Sequence, residues 1–444
     1  MCYPSTALST VERQATSGLV RAIGRWSLAA LVINTMIGAS IFGLPSLLAA
    51  RLGGRSPLAY LVAGAGIGTI MACMSEVASQ FTDAGGPYLY AQETLGRFAG
   101  IAAGWLTWLS RIAASAAAAN LFKIYLVVLV PSANRAALRA TAVILLIGFL
   151  CAVNVRGVGA GTRLSNIFTV TKVALLAFFV GSGFLALAVR PELRVEPARV
   201  PTSVADWFEA VLLLVYAYGG FEAAMIAAGE TRNPRRDAPF ALLGGLGLVA
   251  ALYASVQYVV IHTLPNAALS ERPASDAALH FLGPWGGPFI AMGTLIALYG
   301  YLSANMLHTP RITYALAERG DFPRIFAAIH SRYRTPHISI LVFTALVVSF
   351  TLGGNFQWNA TLSVFARLFG YATAAVALVV LRRRRPNAEA FRLPAAPVFV
   401  ALALGYCAAL LSRVHRGDLL VLSLTVLLAF GNWLSVRRRR PVAD

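Results

Sequence analysis

Two apolar stretches of this chain are interrupted by glycine where a membrane-spanning helix should be continuous. The first interruption lies within residues 34–45, which read NTMIGASIFGLP, and the second lies within residues 216–222, which read YAYGGFE. A bilayer offers no hydrogen-bond partners to backbone N–H and C=O groups, so an interrupted helix survives there only where it is buried in protein or lines a cavity. These two segments therefore restrict the fold more strongly than any other part of the chain.

Composition places the chain in a membrane. Of its 444 residues, 58% are hydrophobic and 12% are charged, whereas a soluble protein carries about 25% charged residues. Apolar runs recur between Leu28 and Trp433, and many reach the roughly 20 residues that a helix needs to cross a bilayer. The net charge of +19 could suggest nucleic acid, but the arginines lie mainly in short loops between apolar runs, as membrane topology requires. We therefore expect an all-α integral membrane protein that contacts the lipid bilayer and no nucleic acid.

The apolar runs predict twelve transmembrane helices. They span residues 26–50, 56–80, 88–128, 137–155, 163–189, 206–230, 237–263, 282–317, 336–353, 358–381, 395–412 and 417–436. The third and eighth runs exceed the length of one crossing, so we expect their ends to project beyond the membrane or to bend at its surface. The two interruptions fall in the first and sixth helices. That spacing is typical of a five-plus-five inverted repeat followed by two further helices.

The predicted organisation has five parts. They are a flexible cytoplasmic tail at 1–22, a ten-helix core at 23–381 with repeats at about 26–189 and 206–381, a basic loop at 382–394, helices 11 and 12 at 395–436, and a cytoplasmic tail at 437–444. More arginines fall on the side of the membrane that would hold both termini than on the other side. Because positive residues concentrate in cytoplasmic loops, we expect a multi-pass protein of the plasma membrane, or bacterial inner membrane, with both termini in the cytoplasm.

The first interruption contains the small residues Gly38, Ala39 and Ser40. A helix that stops here leaves carbonyl groups without partners below the break and N–H groups without partners above it. Free N–H groups attract a carboxylate, and free carbonyl groups attract an ammonium. An amino acid carries both groups on one carbon, and paired interruptions of this kind indicate a transporter's binding site. The alternative is close packing of helices through small residues.

Several segments carry a resemblance to a known family. Residues 37–43, which read IGASIFG, resemble a G-x-G-I-F element, with Ser40 where glycine is usual. Further similar segments are 83–88, 154–172, 218–239 and 311–323. Through these segments the chain resembles the amino acid–polyamine–organocation superfamily over nearly its whole length. The resemblance implies a LeuT-like fold in which helices 1 and 6 are discontinuous.

Lys172 lies near the middle of the fifth predicted helix. A charged side chain at that depth is costly and is typical of a functional site. The resemblance implies coupling to protons rather than sodium, because proton-coupled members carry a lysine where sodium-coupled relatives bind an ion. The alternative is that Lys172 extends its ammonium to the membrane surface.

Glu222 directly follows the second interruption. The resemblance implies that it takes part in proton sensing or positions the broken helix, and the alternative is a structural ion pair with Arg111 or Arg367. Neither arginine belongs to the general family pattern, and either guanidinium could bind a substrate carboxylate through two hydrogen bonds. We favour Arg111 as the residue that faces the cavity, because the third helix lines the site in the LeuT-like fold.

These considerations define a predicted site. The backbone of residues 37–40 would hold the carboxylate of the substrate, and the carbonyl groups of residues 216–219 would hold its amine. By the resemblance, Tyr216 would also cover the bound substrate. The predicted substrate-binding residues are Ile37, Gly38, Ala39, Ser40, Arg111, Tyr216, Ala217, Tyr218 and Gly219, and the predicted proton-coupling residues are Lys172 and Glu222.

The sequence thus predicts a secondary active transporter that takes up amino acids with protons by alternating access. The alternatives are an exchanger of amino acids or amines without net proton flow, and a nutrient sensor that binds without transport. No nucleophile or metal-ligand cluster falls at one depth, and the cysteines lack metal-ligand spacing, so we expect no enzyme, no metal and no cofactor. The expected partners are a small amino acid and protons, with a homodimer as an open alternative to the monomer.

Overall fold

The computed structural model describes residues 24–81, 86–157, 161–222, 224, 234–386 and 391–437. In these ranges the regular elements are helices, and no strand is present. Several predicted segments lie outside the described residues: the N-terminal tail, the centre of the basic loop at 387–390, the exit of the sixth helix at 225–233, and the chain beyond 437.

The α-helices are numbered here in chain order. They are α1 (Arg25–Met36), α2 (Leu44–Leu52), α3 (Ser56–Ala78), α4 (Gly86–Leu95), α5 (Arg97–Leu129), α6 (Ala136–Arg156), α7 (Gly161–Val189), α8 (Val204–Tyr218), α9 (Pro234–Thr263), α10 (Pro273–Leu282), α11 (Gly286–Glu318), α12 (His337–Gly353), α13 (Phe356–Arg384), α14 (Ala396–Leu411) and α15 (Arg416–Val436).

Eight helical stretches within the described ranges are long and apolar enough to cross a membrane. They are α2 and α3 taken together, and stretches of α5, α6, α7, α9, α11, α13 and α15. The apolar helices α12 and α14 are shorter, and α1 and α8 are short because the two interruptions end them. The all-α architecture agrees with the sequence analysis, while the number of twelve transmembrane helices stays a prediction.

Both predicted interruptions are breaks in the helical backbone. After α1, Ile37 adopts an extended conformation with ψ 92°, and a short 3-10 turn over Ser40–Phe42 leads into α2. Pro45 stands in the first turn of α2, where the missing N–H of proline costs no helical hydrogen bond. After α8, Gly219 is extended and Gly220 has φ 113°, a conformation that favours glycine.

The two overlong predicted helices differ in structure. The third is divided at Gly96, whose φ of 93° ends α4 before α5 begins. The eighth continues as α11 through Pro310 to Glu318. Helix α5 lies at the centre of the bundle and packs against α4, α11, α13 and α15, whereas α1 packs along α9.

Candidate functional site

The two breaks meet each other. A β-carbon on Gly220 would collide with the carbonyl oxygen of Thr35 at the end of α1, so only glycine permits this approach. On the opposite side of the first break, Gly38 faces the ring of Tyr301 from α11, at 3.5 Å from the position of a β-carbon. The folded chain therefore assembles one site from segments that lie far apart in sequence.

Side chains occupy the carbonyl end of α1. The last carbonyl groups of a helix have no partners within that helix. Here Lys172 Nζ, from α7, donates hydrogen bonds to the carbonyl oxygens of Asn34 at 2.5 Å and Ile37 at 2.7 Å. The Tyr253 hydroxyl, from α9, donates to the Met36 carbonyl at 3.0 Å. The ammonium of Lys172 thus binds the break itself and does not extend to the membrane surface, and its charge complements the dipole of α1.

The side of the first break that leads into α2 presents N–H groups instead of carbonyl groups. The N–H groups of Ala39, Ser40 and Ile41 find no acceptor among the residues that the structure describes. The Ser40 hydroxyl is buried beside them, within reach of the Tyr253 hydroxyl. Successive free N–H groups at the start of a helical segment form a binding position for an anion.

Glu222 occupies the corresponding N–H end at the second break. Its Oε2 accepts the Gly220 N–H at 2.8 Å, and its Oε1 accepts a hydrogen bond from the Tyr371 hydroxyl of α13. Arg367 Nε lies 3.5 Å from the same Oε1, and the Arg367 guanidinium covers the face of Gly219 that a β-carbon would fill. Both charged side chains are buried, so each depends on the other for compensation.

The carbonyl end of α8 is less occupied. The Tyr216 carbonyl accepts the Gly219 N–H at 3.4 Å, whereas the carbonyl oxygens of Ala217 and Tyr218 receive no hydrogen bond from the described residues. The Tyr218 side chain is directed away from the break, because its hydroxyl donates to the Tyr60 carbonyl of α3 at 2.7 Å. Tyr218 can therefore contribute to the site through its backbone.

Tyr216 of α8 contacts α5 close to Arg111 in the sequence. The Tyr216 hydroxyl donates to the Ala114 carbonyl at 3.3 Å, and Ser110 exchanges hydrogen bonds with Ser363 of α13. Arg111 lies between these two contact points in the sequence, and its guanidinium makes no hydrogen bond or close ion pair in the described part of the chain, although it is near enough to Glu222 for their charges to interact. Of the two intramembrane arginines, Arg367 is therefore the one paired with Glu222.

Three site residues were absent from the sequence analysis: Tyr253, Tyr301 and Tyr371. Each is a tyrosine inside an apolar helix, and each lies at a break or contacts a charged residue there. A buried phenol usually finds a hydrogen-bond partner, so a tyrosine within an apolar run was the available signal, but it does not reveal the partner.

Comparison with known proteins identifies the family. The family model described as amino acid permease matches residues 23–428. The chain belongs to the amino acid permease family. This finding confirms the predicted membership of the amino acid–polyamine–organocation superfamily, and it agrees with the apolar helices in describing the permease as a multi-pass membrane protein of a transporter family.

Curated relatives align with the permease over most of their length. The serine/threonine exchanger SteT of Bacillus subtilis (strain 168) is 28% identical over 398 residues, covering 87% of this chain and 90% of the relative. The methylthioribose transporter of the same organism is 28% identical over 424 residues, covering 90% of each. Its branched-chain amino acid permease BcaP is 26% identical over 422 residues, covering 88% of each. These relatives are named as transporters and not as enzymes.

Proposed function

We propose that this permease is a secondary active transporter that takes up an amino acid together with a proton by alternating access. Its place would be the plasma membrane or bacterial inner membrane, with both termini in the cytoplasm. The proposal rests on which backbone groups at the two breaks have hydrogen-bond partners. Each break creates one helix end with carbonyl groups and one with N–H groups, which makes four ends. Side chains of the protein bind the carbonyl end of α1 and the Gly220 N–H, whereas the N–H groups before α2 and the last carbonyl groups of α8, which have opposite polarity, have no partner among the described residues.

The two remaining ends fit the two charged groups of an amino acid. The N–H groups of Ala39, Ser40 and Ile41 suit the α-carboxylate, because a helix N-terminus binds anions. The carbonyl groups of Ala217 and Tyr218 suit the α-ammonium, which can donate three hydrogen bonds. Tyr216 would cover the substrate between them.

The contact between the breaks supports a LeuT-like arrangement. In that arrangement, discontinuous helices of two inverted repeats bring their half-helix ends together near the middle of the membrane. We therefore extend the proposal to twelve transmembrane helices, with repeats at about 26–189 and 206–381, helices 11 and 12 at 395–436, and a basic loop between them.

Lys172 supplies the proposed coupling to protons. Its ammonium lies at the carbonyl end of α1, where a cation compensates the partial negative charge of the backbone. Loss of its proton would remove that charge and weaken the hold on α1, which would release α1 to move. Glu222 would hold the second break itself through the Gly220 N–H and through Arg367.

The charges near the site favour neutral or acidic substrates over cationic ones. Lys172 has carbonyl partners only, and the carboxylate of Glu222 stands against two arginines, Arg367 at 3.5 Å and Arg111 at longer range. A cationic side chain would therefore meet an excess of positive charge. The names of the relatives are divided on this point, because a serine/threonine exchanger and a branched-chain permease match the chain and so do two cationic amino acid transporters.

Exchange without net proton flow is the second candidate, because one relative is named as an exchanger. The two candidates separate in proteoliposomes of purified permease. We expect radiolabelled amino acids to enter liposomes that contain none, faster with an inward proton gradient and unchanged when potassium replaces sodium. Uptake that requires an internal amino acid would support exchange, and sodium-dependent uptake would contradict the proton-coupled proposal. Binding without any uptake would indicate a sensor.

A further inference from the structure

A groove opens between α1 and α9 on the outside of the helix bundle. It has a volume of about 360 Å³ and an almost entirely apolar lining, contributed by Trp26, Ala30 and Ile33 of α1 and by Phe240, Gly244 and Leu248 of α9. Trp26, Phe240 and Leu248 are largely exposed, at 68%, 41% and 59%. In a membrane protein, such side chains face lipid. The small residues Ala30 and Gly244 leave a recess between them that is open to the bilayer.

One end of this groove carries a positive charge. The Arg25 guanidinium lies over the rings of Trp26 and Phe240, at 5.7 and 5.6 Å from their centroids. The two rings meet edge to face at 5.1 Å. Arg25 and the exposed Arg236 form no salt bridge within the described ranges, and Asp237 is buried. An apolar recess with unpaired arginine at its mouth is complementary to an anionic amphiphile.

The depth of the groove matches this chemistry. Helix α1 rises about 16 Å from Met36 to Arg25. If the break lies near the middle of the bilayer, as proposed above, Arg25 reaches the edge of a hydrocarbon core whose half-thickness is about 15 Å. Arginine and tryptophan are both favoured at that interface. The apolar part of the groove then extends inward to the depth of acyl chains.

From this geometry we propose that the groove binds an anionic phospholipid, with an acyl chain between α1 and α9 and the headgroup at Arg25 and Arg236. The bound lipid contacts the half-helix whose other end holds Lys172. It therefore favours the arrangement in which α1 rests on α9.

Two glycines of α9 provide a matched test. A β-carbon on either Gly244 or Gly247 meets nothing within 4 Å, so a larger side chain at either position enters open space, yet only Gly244 lines the groove. Gly244→Leu fills the recess, and Gly247→Leu adds the same side chain to the lipid-facing surface beside it. Arg25→Gln removes the headgroup contact. Arg332→Gln is its control, because Arg332 is also exposed and stacked on a ring, that of Tyr333.

The measurement is direct and does not depend on transport. Purified permease in mild detergent is titrated with dioleoyl phosphatidylglycerol or dioleoyl phosphatidylcholine, and retained lipid is counted by native mass spectrometry. We expect the wild type to retain phosphatidylglycerol in preference to phosphatidylcholine. Gly244→Leu should retain it about ten-fold more weakly, because the leucine displaces at least two methylenes of the acyl chain from the groove. Arg25→Gln should retain it roughly five-fold more weakly, because the headgroup loses a cationic partner. Both controls should match the wild type.

Three results would overturn the inference. They are equal retention of the two lipids, equal loss in Gly244→Leu and Gly247→Leu, and unchanged retention in Arg25→Gln. Should Gly244→Leu not fold, judged by its elution profile and melting temperature, the Arg25 comparison decides the question. A permease that binds the lipid but transports nothing would contradict the proposed function and leave this inference intact.

Discussion

Replacing Lys172 by methionine should shift the conformational equilibrium of the permease and remove its response to a proton gradient. The substitution deletes two hydrogen bonds from a charged donor, at 2.5 and 2.7 Å, while keeping most of the length of the side chain. Each such bond contributes about 1.5–3 kcal/mol. Because Lys172 is half-buried and water can replace part of the loss, we expect the lower end, about 3 kcal/mol in total. That is roughly a hundred-fold change in an equilibrium constant.

Two measurements check this expectation. Hydrogen exchange of the amides near the end of α1 should accelerate by up to about a hundred-fold, since local opening there costs less. Initial uptake rates in proteoliposomes should become independent of external pH. Lys123→Met is the control, because Lys123 Nζ likewise donates to a carbonyl at a helix end, that of Thr351 in α12 at 3.1 Å, and this hydrogen bond does not involve either break. Unchanged exchange in α1 together with a normal pH response in Lys172→Met would refute the role assigned to Lys172.

Three further substitutions test the site. Ser40→Val places a stiff, larger side chain at a buried position and should weaken substrate binding at least ten-fold with normal membrane insertion; unchanged affinity would mean that the carboxylate binds elsewhere. Gly220→Ala should lower the melting temperature and yield little active protein, because φ is 113° and the β-carbon would collide with Thr35; wild-type stability would show that the breaks separate easily. Arg111→Gln should let lysine and arginine compete better for uptake of a neutral amino acid without reducing expression; a misfolded variant, or a wild type that prefers cationic substrates, would assign Arg111 to structure.

The positions of the breaks could be predicted from sequence because the backbone there needs residues of a recognisable type. Glycine is required at 220 by a positive φ and by the approach of α1, and a proline at 45 is tolerated only near a helix start. The twelve-helix arrangement is a different kind of inference. It depends on counting apolar runs, and the breaks shorten α1 and α8 below the length by which a membrane helix is recognised.

The pairing of charges could not be predicted. Arg111 and Arg367 are each a single arginine in an apolar run, and sequence left open which one meets Glu222. The answer depends on the packing of α13 against the second break, which places Arg367 on Gly219. Glu76 shows the same limitation, since its carboxylate binds Arg382 through two hydrogen bonds at 2.8 and 2.7 Å, across a separation that no local pattern encodes.

The substrate position is hidden from sequence for a deeper reason. Side chains that satisfy a broken backbone end are visible as charges in apolar runs, which is why Lys172 and Glu222 stood out. A backbone end left for the substrate has no residue type of its own, because every residue except proline carries the same N–H and C=O groups. Such an end becomes identifiable only when the folded chain shows which ends its own side chains satisfy. Lys172 and Tyr253 satisfy the end of α1, and Glu222 satisfies the Gly220 amide. Under the function proposed above, the N–H groups before α2 and the last carbonyl groups of α8 are then the pair left for a zwitterion.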